Sequence, residues 1–323
     1  MLNGENPVRR GVPARGRLLG ALTSLALSSA LSTALLPVDA QAQARNVHVK
    51  QDSNDIPEVP GDDIFGFTAA TDTGEKGDVG FANELTGFGG KRGGSYLALS
   101  NKMEFSYTPA EDWWVAASAF VSYNRIKGVP DFLDVDRTQF EGFSTEIQYR
   151  LIKRSASNPF ALAVAVEPAY AFTDLSSGRK SDAYGAAFKL LVDAVIVPDR
   201  IFWAANIIWA PVRSQDIDDR SNWTTSSAGL LMTALTFQLS KSLFVGAEIM
   251  QFSAYNGSFF NERSGYAYYL GPTLLWKITD KVAFNTTWQP QIAGRSSDNP
   301  NLPYELDTFT RSQFRFKLAF QLN

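Results

Sequence analysis

Phe314-Arg315-Phe316-Lys317-Leu318-Ala319-Phe320-Gln321-Leu322 sorts its side chains by parity. Phe314, Phe316, Leu318, Phe320 and Leu322 fall on one face, and Arg315, Lys317, Ala319 and Gln321 on the other, which is the two-residue period of a strand. A helix would scatter both sets around its circumference. The same sorting recurs upstream. Over 160–173, Phe160, Leu162, Val164, Val166, Tyr170 and Phe172 oppose Ala161, Ala163, Ala165, Glu167 and Ala169. Over 282–293, Val282, Phe284, Thr286, Trp288 and Ile292 oppose Ala283, Asn285, Thr287, Gln289 and Gln291. One face is oily and the other small or polar.

Segmenting the chain on this signal predicts twelve strands, at 64–72, 94–108, 113–125, 138–152, 160–173, 183–197, 201–213, 224–239, 243–255, 265–278, 282–293 and 311–322. The connections then alternate in length. Pro109–Asp112, Lys153–Pro159, Pro198–Arg200, Ser240–Ser242 and Thr279–Lys281 are short, whereas Thr73–Gly93, Ile126–Arg137, Asp174–Asp182, Ser214–Trp223, Asn256–Ser264 and Gly294–Thr310 are longer and more polar. Short turns at one end and long loops at the other are the pattern of an up-and-down barrel in a membrane, and an even strand count puts both ends of the barrel domain, 64–323, on the short-turn side.

These strands exceed the ~5–6 residues usual in soluble sheets and reach the ~9–11 that cross a bilayer at a tilt. The longest uncharged window after the leader, Ser221–Ser240, is too rich in Ser and Thr for a spanning helix. Lipid tolerates strands only when their backbone pairing closes on itself, so the fold class is an all-β, closed antiparallel transmembrane barrel. Trp113, Trp114, Tyr149, Phe160, Trp203, Phe237, Phe244, Trp276 and Phe284 flank the short turns and form the expected interfacial belt.

The first 44 residues are built differently. Arg9, Arg10, Arg15 and Arg17 precede an uncharged run from Leu18 to Leu36, and Ala40-Gln41-Ala42 overlaps Ala42-Gln43-Ala44. This is the layout of an export signal cleaved after Ala42 or Ala44, and Arg9-Arg10 lacks the following pattern of a twin-arginine signal, which points to the general secretory route. Residues 45–63, with Pro57 and Pro60, read as a flexible periplasmic lead-in. Of the 30 basic and 33 acidic side chains, the first 42 residues hold four Arg, Glu5 and Asp39, leaving 26 and 31 and a net charge near −5. So small and dispersed an excess gives no electrostatic reason for a nucleic-acid partner. Without Cys there is neither a disulfide framework nor a thiolate metal site.

On these residues the chain resembles the bacterial outer-membrane β-barrel proteins and is similar in architecture to small twelve-stranded channels. Its last strand resembles their C-terminal assembly signal, carried here by Phe314, Phe316, Leu318, Phe320 and Leu322, although Phe320 is followed by Gln321, Leu322 and Asn323 where that family commonly ends on an aromatic residue. The resemblance implies a Gram-negative outer-membrane location, with membrane lipid, lipopolysaccharide and the barrel-insertion machinery as partners.

Parity turns Lys102, Glu104, Glu146, Arg150, Glu167, Lys189, Asp193, Glu248, Lys277, Arg315 and Lys317 into the lumen, since a basic group facing lipid at mid-depth costs ~2–4 kcal/mol. Glu104, Arg150, Asp193 and Lys317 lie at similar distances from the short-turn end, with Glu248 near the same level, and form a candidate constriction of both signs. Such a belt suits passive passage of small polar or zwitterionic solutes. The competing reading is a salt-bridged plug in a structural or surface-interaction barrel, an adhesin or assembly partner that presents its loops. No passenger region precedes the strands, which disfavours an autotransporter.

A barrel hydrolase lacks a base inside the barrel. His48, the only His, stands in the lead-in, and Glu146 with Glu167 is the remaining carboxylate pair, expected to be neutralised by Arg150 and Lys189. Asp131, Asp134 and Asp136, like Asp216, Asp218 and Asp219, lack the Gly and distal Glu of a calcium loop and read as turn chemistry. Gly87-Phe88-Gly89-Gly90-Lys91 has no strand-to-helix context for a phosphate loop, and Asn222-Trp223-Thr224 is an incidental glycosylation pattern. No cofactor, metal or catalytic residue is expected.

Overall fold

The computed structural model describes residues 59–60, 64–155 and 157–322; the leader, His48 and most of the lead-in lie outside them. Twelve strands close into one antiparallel barrel: β1 (Val79–Gly89), β2 (Ser95–Ala110), β3 (Trp113–Lys127), β4 (Val135–Ile152), β5 (Phe160–Asp174), β6 (Arg179–Val197), β7 (Ile201–Gln215), β8 (Trp223–Gln238), β9 (Leu243–Asn256), β10 (Glu262–Thr279), β11 (Val282–Ser296) and β12 (Ser312–Gln321). Each strand pairs with its sequence neighbours, and β12 returns to β1 in an unbroken register from Gly80↔Gln321 to Gly89↔Ser312. That seam leaves no open edge, the condition for backbone groups immersed in hydrocarbon.

The stretch that decided the fold behaves as its parity demands. Phe316 is 43% exposed on the outer surface and stacks on Phe284 of β11, while Arg315 is buried inside. Leu318 and Phe320 lie in the same strand, and Leu322 follows it. Gly87 lies opposite Phe314 at the seam, and its missing Cβ leaves room for the Phe314 ring. Large apolar side chains cover the outside of the other strands, among them Phe188, Ile207, Leu231 and Trp276. Exposure of this kind around a whole barrel is stable against lipid and costly against water. Trp113, Tyr149, Phe160, Phe237 and Trp276 are exposed beside the short turns, and Trp203 donates its indole N–H to Thr233. Phe244 departs from the expected belt: it is fully buried within the barrel, packed with Phe202. Trp114, on the opposite parity from Trp113, lines the lumen.

The first predicted strand is not one. Residues 64–72 form an irregular segment inside the barrel, and β1 instead lies at Val79–Gly89, within what the sequence presented as a long outer loop. The Ile64-Phe65-Gly66-Phe67 pattern announces burial, and the barrel interior supplies it without a ladder: Ile64 and Phe65 are 1% and 0% exposed. Val59, at the end of the expected lead-in, packs in the same cluster with Phe202, Phe244 and Leu275.

The interior also differs from a uniformly small or polar lining. Toward the long-loop end, Leu230, Met250 and Phe252 point inward and pack with Phe88, Tyr96 and Tyr269 into an apolar core. Loop residues Val129, Leu175 and Phe309 fold into it from above. The barrel is thus filled by protein at its outer half and crossed by the N-terminal segment at its inner half.

Candidate functional site

The N-terminal segment is held by side chains that reach inward from the wall. Thr236 donates to the carbonyl of Ile64 at 3.0 Å, and Asn285 donates to that of Phe65 at 2.7 Å. The amides of Phe67 and Thr68 donate to the two oxygens of the Glu248 carboxylate at 3.1 and 2.9 Å, and Gln289 completes that carboxylate at 2.7 Å. Asn206 engages Ala69 twice, accepting from its amide at 2.7 Å and donating to its carbonyl at 2.9 Å. Thr71 donates to Asp193 at 2.7 Å, Gln148 donates to the Asp72 carbonyl at 3.0 Å, and Thr108 donates to the Thr73 carbonyl at 2.6 Å. Apart from the Gln289–Glu248 bond, each of these contacts serves a main-chain group of the segment that is buried or part-buried and would otherwise lack a partner.

Beside this segment lies a cavity of about 470 Å³ whose lining runs from Phe67 and Ala69 to the short-turn residues Thr279, Asp280 and Lys281. Glu84, Glu104, Glu146 and Glu167 share its wall with Lys102, Lys189, Arg315 and Lys317, and with Asp72, Asp78, Lys277, Asp280 and Lys281 toward the rim, so seven acids nearly balance six bases. Among them, Lys102 pairs with Glu104 at 2.5 Å, Lys189 with Glu146 and Glu167 at 2.9 and 2.8 Å, and Arg315 with Glu84 at 3.6 Å. The Arg315 guanidinium also lies over the Phe67 ring, 5.6 Å from its centre, which couples the chamber wall to the segment.

The residues picked from parity therefore divide into two groups. Lys102, Glu104, Glu146, Glu167, Lys189, Lys277, Arg315 and Lys317 line the chamber. Glu248, Asp193 and Arg150 hold the segment, Arg150 through Asp72 at 3.2 Å and through Asp112 in the β2–β3 turn at 3.0 Å. Asp193 also pairs with Arg154. The expected pairing of Glu146 and Glu167 with both Arg150 and Lys189 is met by Lys189 alone.

Several charged participants were not read from the sequence, Asp112 in the β2–β3 turn among them. Glu84 was hidden because β1 was taken for a loop. Asp72 belongs to the mistaken strand. Arg154 stands in a turn that folds inward. Glu141 has the wrong parity for the lumen, but the β3–β4 register slips between Phe120 and Val121, with Gly142 and Phe140 opposite them. That bulge turns Glu141 inward, where it is fully buried and accepts from Ser100 at 2.6 Å. A Gly beside an acid in mid-strand is the signal that could have found it.

At the outer end, the loop spanning 297–311 is pinned over the lumen. Lys91 donates to the carbonyls of Asp307 and Thr308 at 3.2 and 2.5 Å, while the Glu305 carboxylate accepts the amides of Thr308 and Phe309. Burial pushes Lys91 down to about 8, against the pull of Glu305 and Asp307. Burial raises Glu305, partly opposed by its bond from the Phe309 amide. The acidic loops are turn chemistry: Asp134 accepts from the Gly128 amide at 2.8 Å, Asp218 pairs with Arg179, and Asp219 is bonded by Ser221. Among the described residues, no three His, Cys, Asp or Glu side chains gather as a metal site.

Residues 57–322 match the sequence profile of a family described as a family of unknown function, DUF6662. No curated protein matches by sequence. Among solved structures, the barrel is similar to the COG4313 outer-membrane channel from Pseudomonas putida F1, with a TM-score of 0.51 at 12% identity, covering 78% of this chain and 98% of that one. It is also similar to the β domain of the Bordetella autotransporter BrkA, with a TM-score of 0.50 at 10% identity, covering 76% of this chain and 100% of the other. At such identity the likeness is one of fold.

Proposed function

We propose that this chain, which belongs to the DUF6662 family, is an outer-membrane channel in its closed state, passing small polar or zwitterionic solutes by way of the charged chamber. The observation that carries the reading is the chamber itself. A cavity of about 470 Å³ reaches the short-turn rim, and its wall sets seven acidic side chains against six basic ones. A wall of both signs binds a molecule that carries both, and repels neither on entry. The segment that crosses the barrel is fastened by side chains and pairs with no strand, so it can leave without breaking the ladder. The apolar outside and the leader motif support export by the general secretory route, insertion by the barrel-assembly machinery, and contact with membrane lipid and lipopolysaccharide. No enzymatic role is proposed, since the chamber carboxylates Glu146 and Glu167 are committed to Lys189.

The apolar core at the outer half favours a second reading, a structural or surface-interaction barrel that never conducts. Planar-bilayer recording separates the two. The channel reading expects brief discrete openings in the full chain. It expects longer ones when Gly66 is replaced by Val, because a Cβ there meets the Glu248 carboxylate at 2.6 Å. It also expects a shift toward anion selectivity in the Glu104→Gln, Glu167→Gln double variant. Silence from all three proteins, each folded by its heat-shifted gel band, would leave the structural reading standing.

A further inference from the structure

The contacts that hold the N-terminal segment read its main chain. Asn206 meets the amide and carbonyl of Ala69 as a neighbouring strand would, Glu248 takes two successive amides, and Asn285 and Thr236 take carbonyls. These groups come from separate strands, β7, β8, β9 and β11, and converge on one path through the lumen. Main-chain groups are common to all peptides, so a wall that satisfies them recognises peptides as a class.

Side-chain selection enters at three adjacent positions. Phe65 is fully buried in the cluster of Phe202, Phe244 and Leu275. Phe67 is 7% exposed beneath Arg315. Between them Gly66 fits because a Cβ would meet Glu248 at 2.6 Å and Thr273 at 2.8 Å. The path thus has two apolar seats separated by a place for Gly.

We infer that the lumen is a binding site for short peptides, held through their main chain with an aromatic-Gly-aromatic preference, and that residues 64–72 occupy it in cis as a pseudo-ligand. For passage, this rests on the channel reading and names its solute; the binding itself requires no conduction. A peptide also carries the mixed charges that suit the adjoining chamber.

The test uses the full chain with a protease site inserted in the exposed turn at Gly74–Gly77, cleaved after folding in detergent. A fluorescein-labelled synthetic peptide covering residues 59–74 is followed by anisotropy. Saturable exchange into the nicked barrel is expected, with none into the uncut one. An unlabelled peptide that keeps Phe-Gly-Phe but changes the remaining residues should compete within about tenfold, because the main-chain bonds are retained. Methylating the amides of Thr68 and Ala69 in the competitor should weaken it by tenfold or more, as should Asn206→Ala in the barrel. Equal competition by the methylated peptide would overturn the inference. So would a nicked barrel that never exchanges its fragment, since a site for outside peptides must admit them. Peptide binding by a barrel silent in bilayers would overturn the channel reading and keep this one.

Discussion

Residues 64–72 and 314–322 are alike in sequence and opposite in fate. Both set aromatic side chains at alternate positions, Phe65 and Phe67 in the first and Phe314, Phe316 and Phe320 in the second. The second is the closing strand, with its backbone in the ladder and Phe316 facing outward. The first lies within the barrel, with its amides on Glu248, Asn206 and Asp193. The ladder fixes the closing strand through contacts shared along its whole length, whereas the inner segment depends on a few side chains, each replaceable. Alternation therefore reports that one face is to be buried and leaves open what buries it.

The largest change expected from breaking this contrast is at Asp193. Asp193→Ala removes the acceptor of Thr71 and leaves Arg154 buried with its charge uncompensated, at a cost of about 3–5 kcal/mol. The loss should appear as a lower urea midpoint in detergent, and Arg154→Met in the same chain should recover much of it. Phe316→Arg acts on the other region, placing a cation against hydrocarbon for about 2–4 kcal/mol. It should reduce the heat-shifted band while leaving the inner segment, in barrels that do fold, as protected from proteolysis as before. Gly66→Val does the reverse: overpacking against Glu248 costs about 1–3 kcal/mol. Protease sensitivity of the N-terminal segment should rise while the barrel's thermal transition stays within a few degrees.

The smallest effect concerns the outer lid. Lys91 is held near 8 by burial, against 10.5 for a free side chain. A lifted lid therefore binds more protons than a seated one, so the seated form gains stability as pH rises from about 8 to about 10.5, and below that window the penalty of the buried charge is fully present. Protection factors for the Thr308 and Phe309 amides, which donate to Glu305, should increase across this range. Lys91→Met should flatten the dependence.

Parity and turn spacing by themselves determined the closed antiparallel barrel and the position of every strand from β2 to β12 to within a few residues. They could do so because a strand exposed to lipid on one side must sort its side chains by twos, and a charge on the wrong side is too costly to keep. Tertiary structure alone decided that β1 begins at Val79, that Glu141 turns inward at a bulge, and that Glu248 and Asp193 grip a segment of the same chain. Inward parity is the same whether a side chain meets water, a solute or another stretch of protein, so the occupant of the lumen is set by contacts between residues such as Phe67 and Glu248, 181 positions apart. No local pattern carries information over that distance.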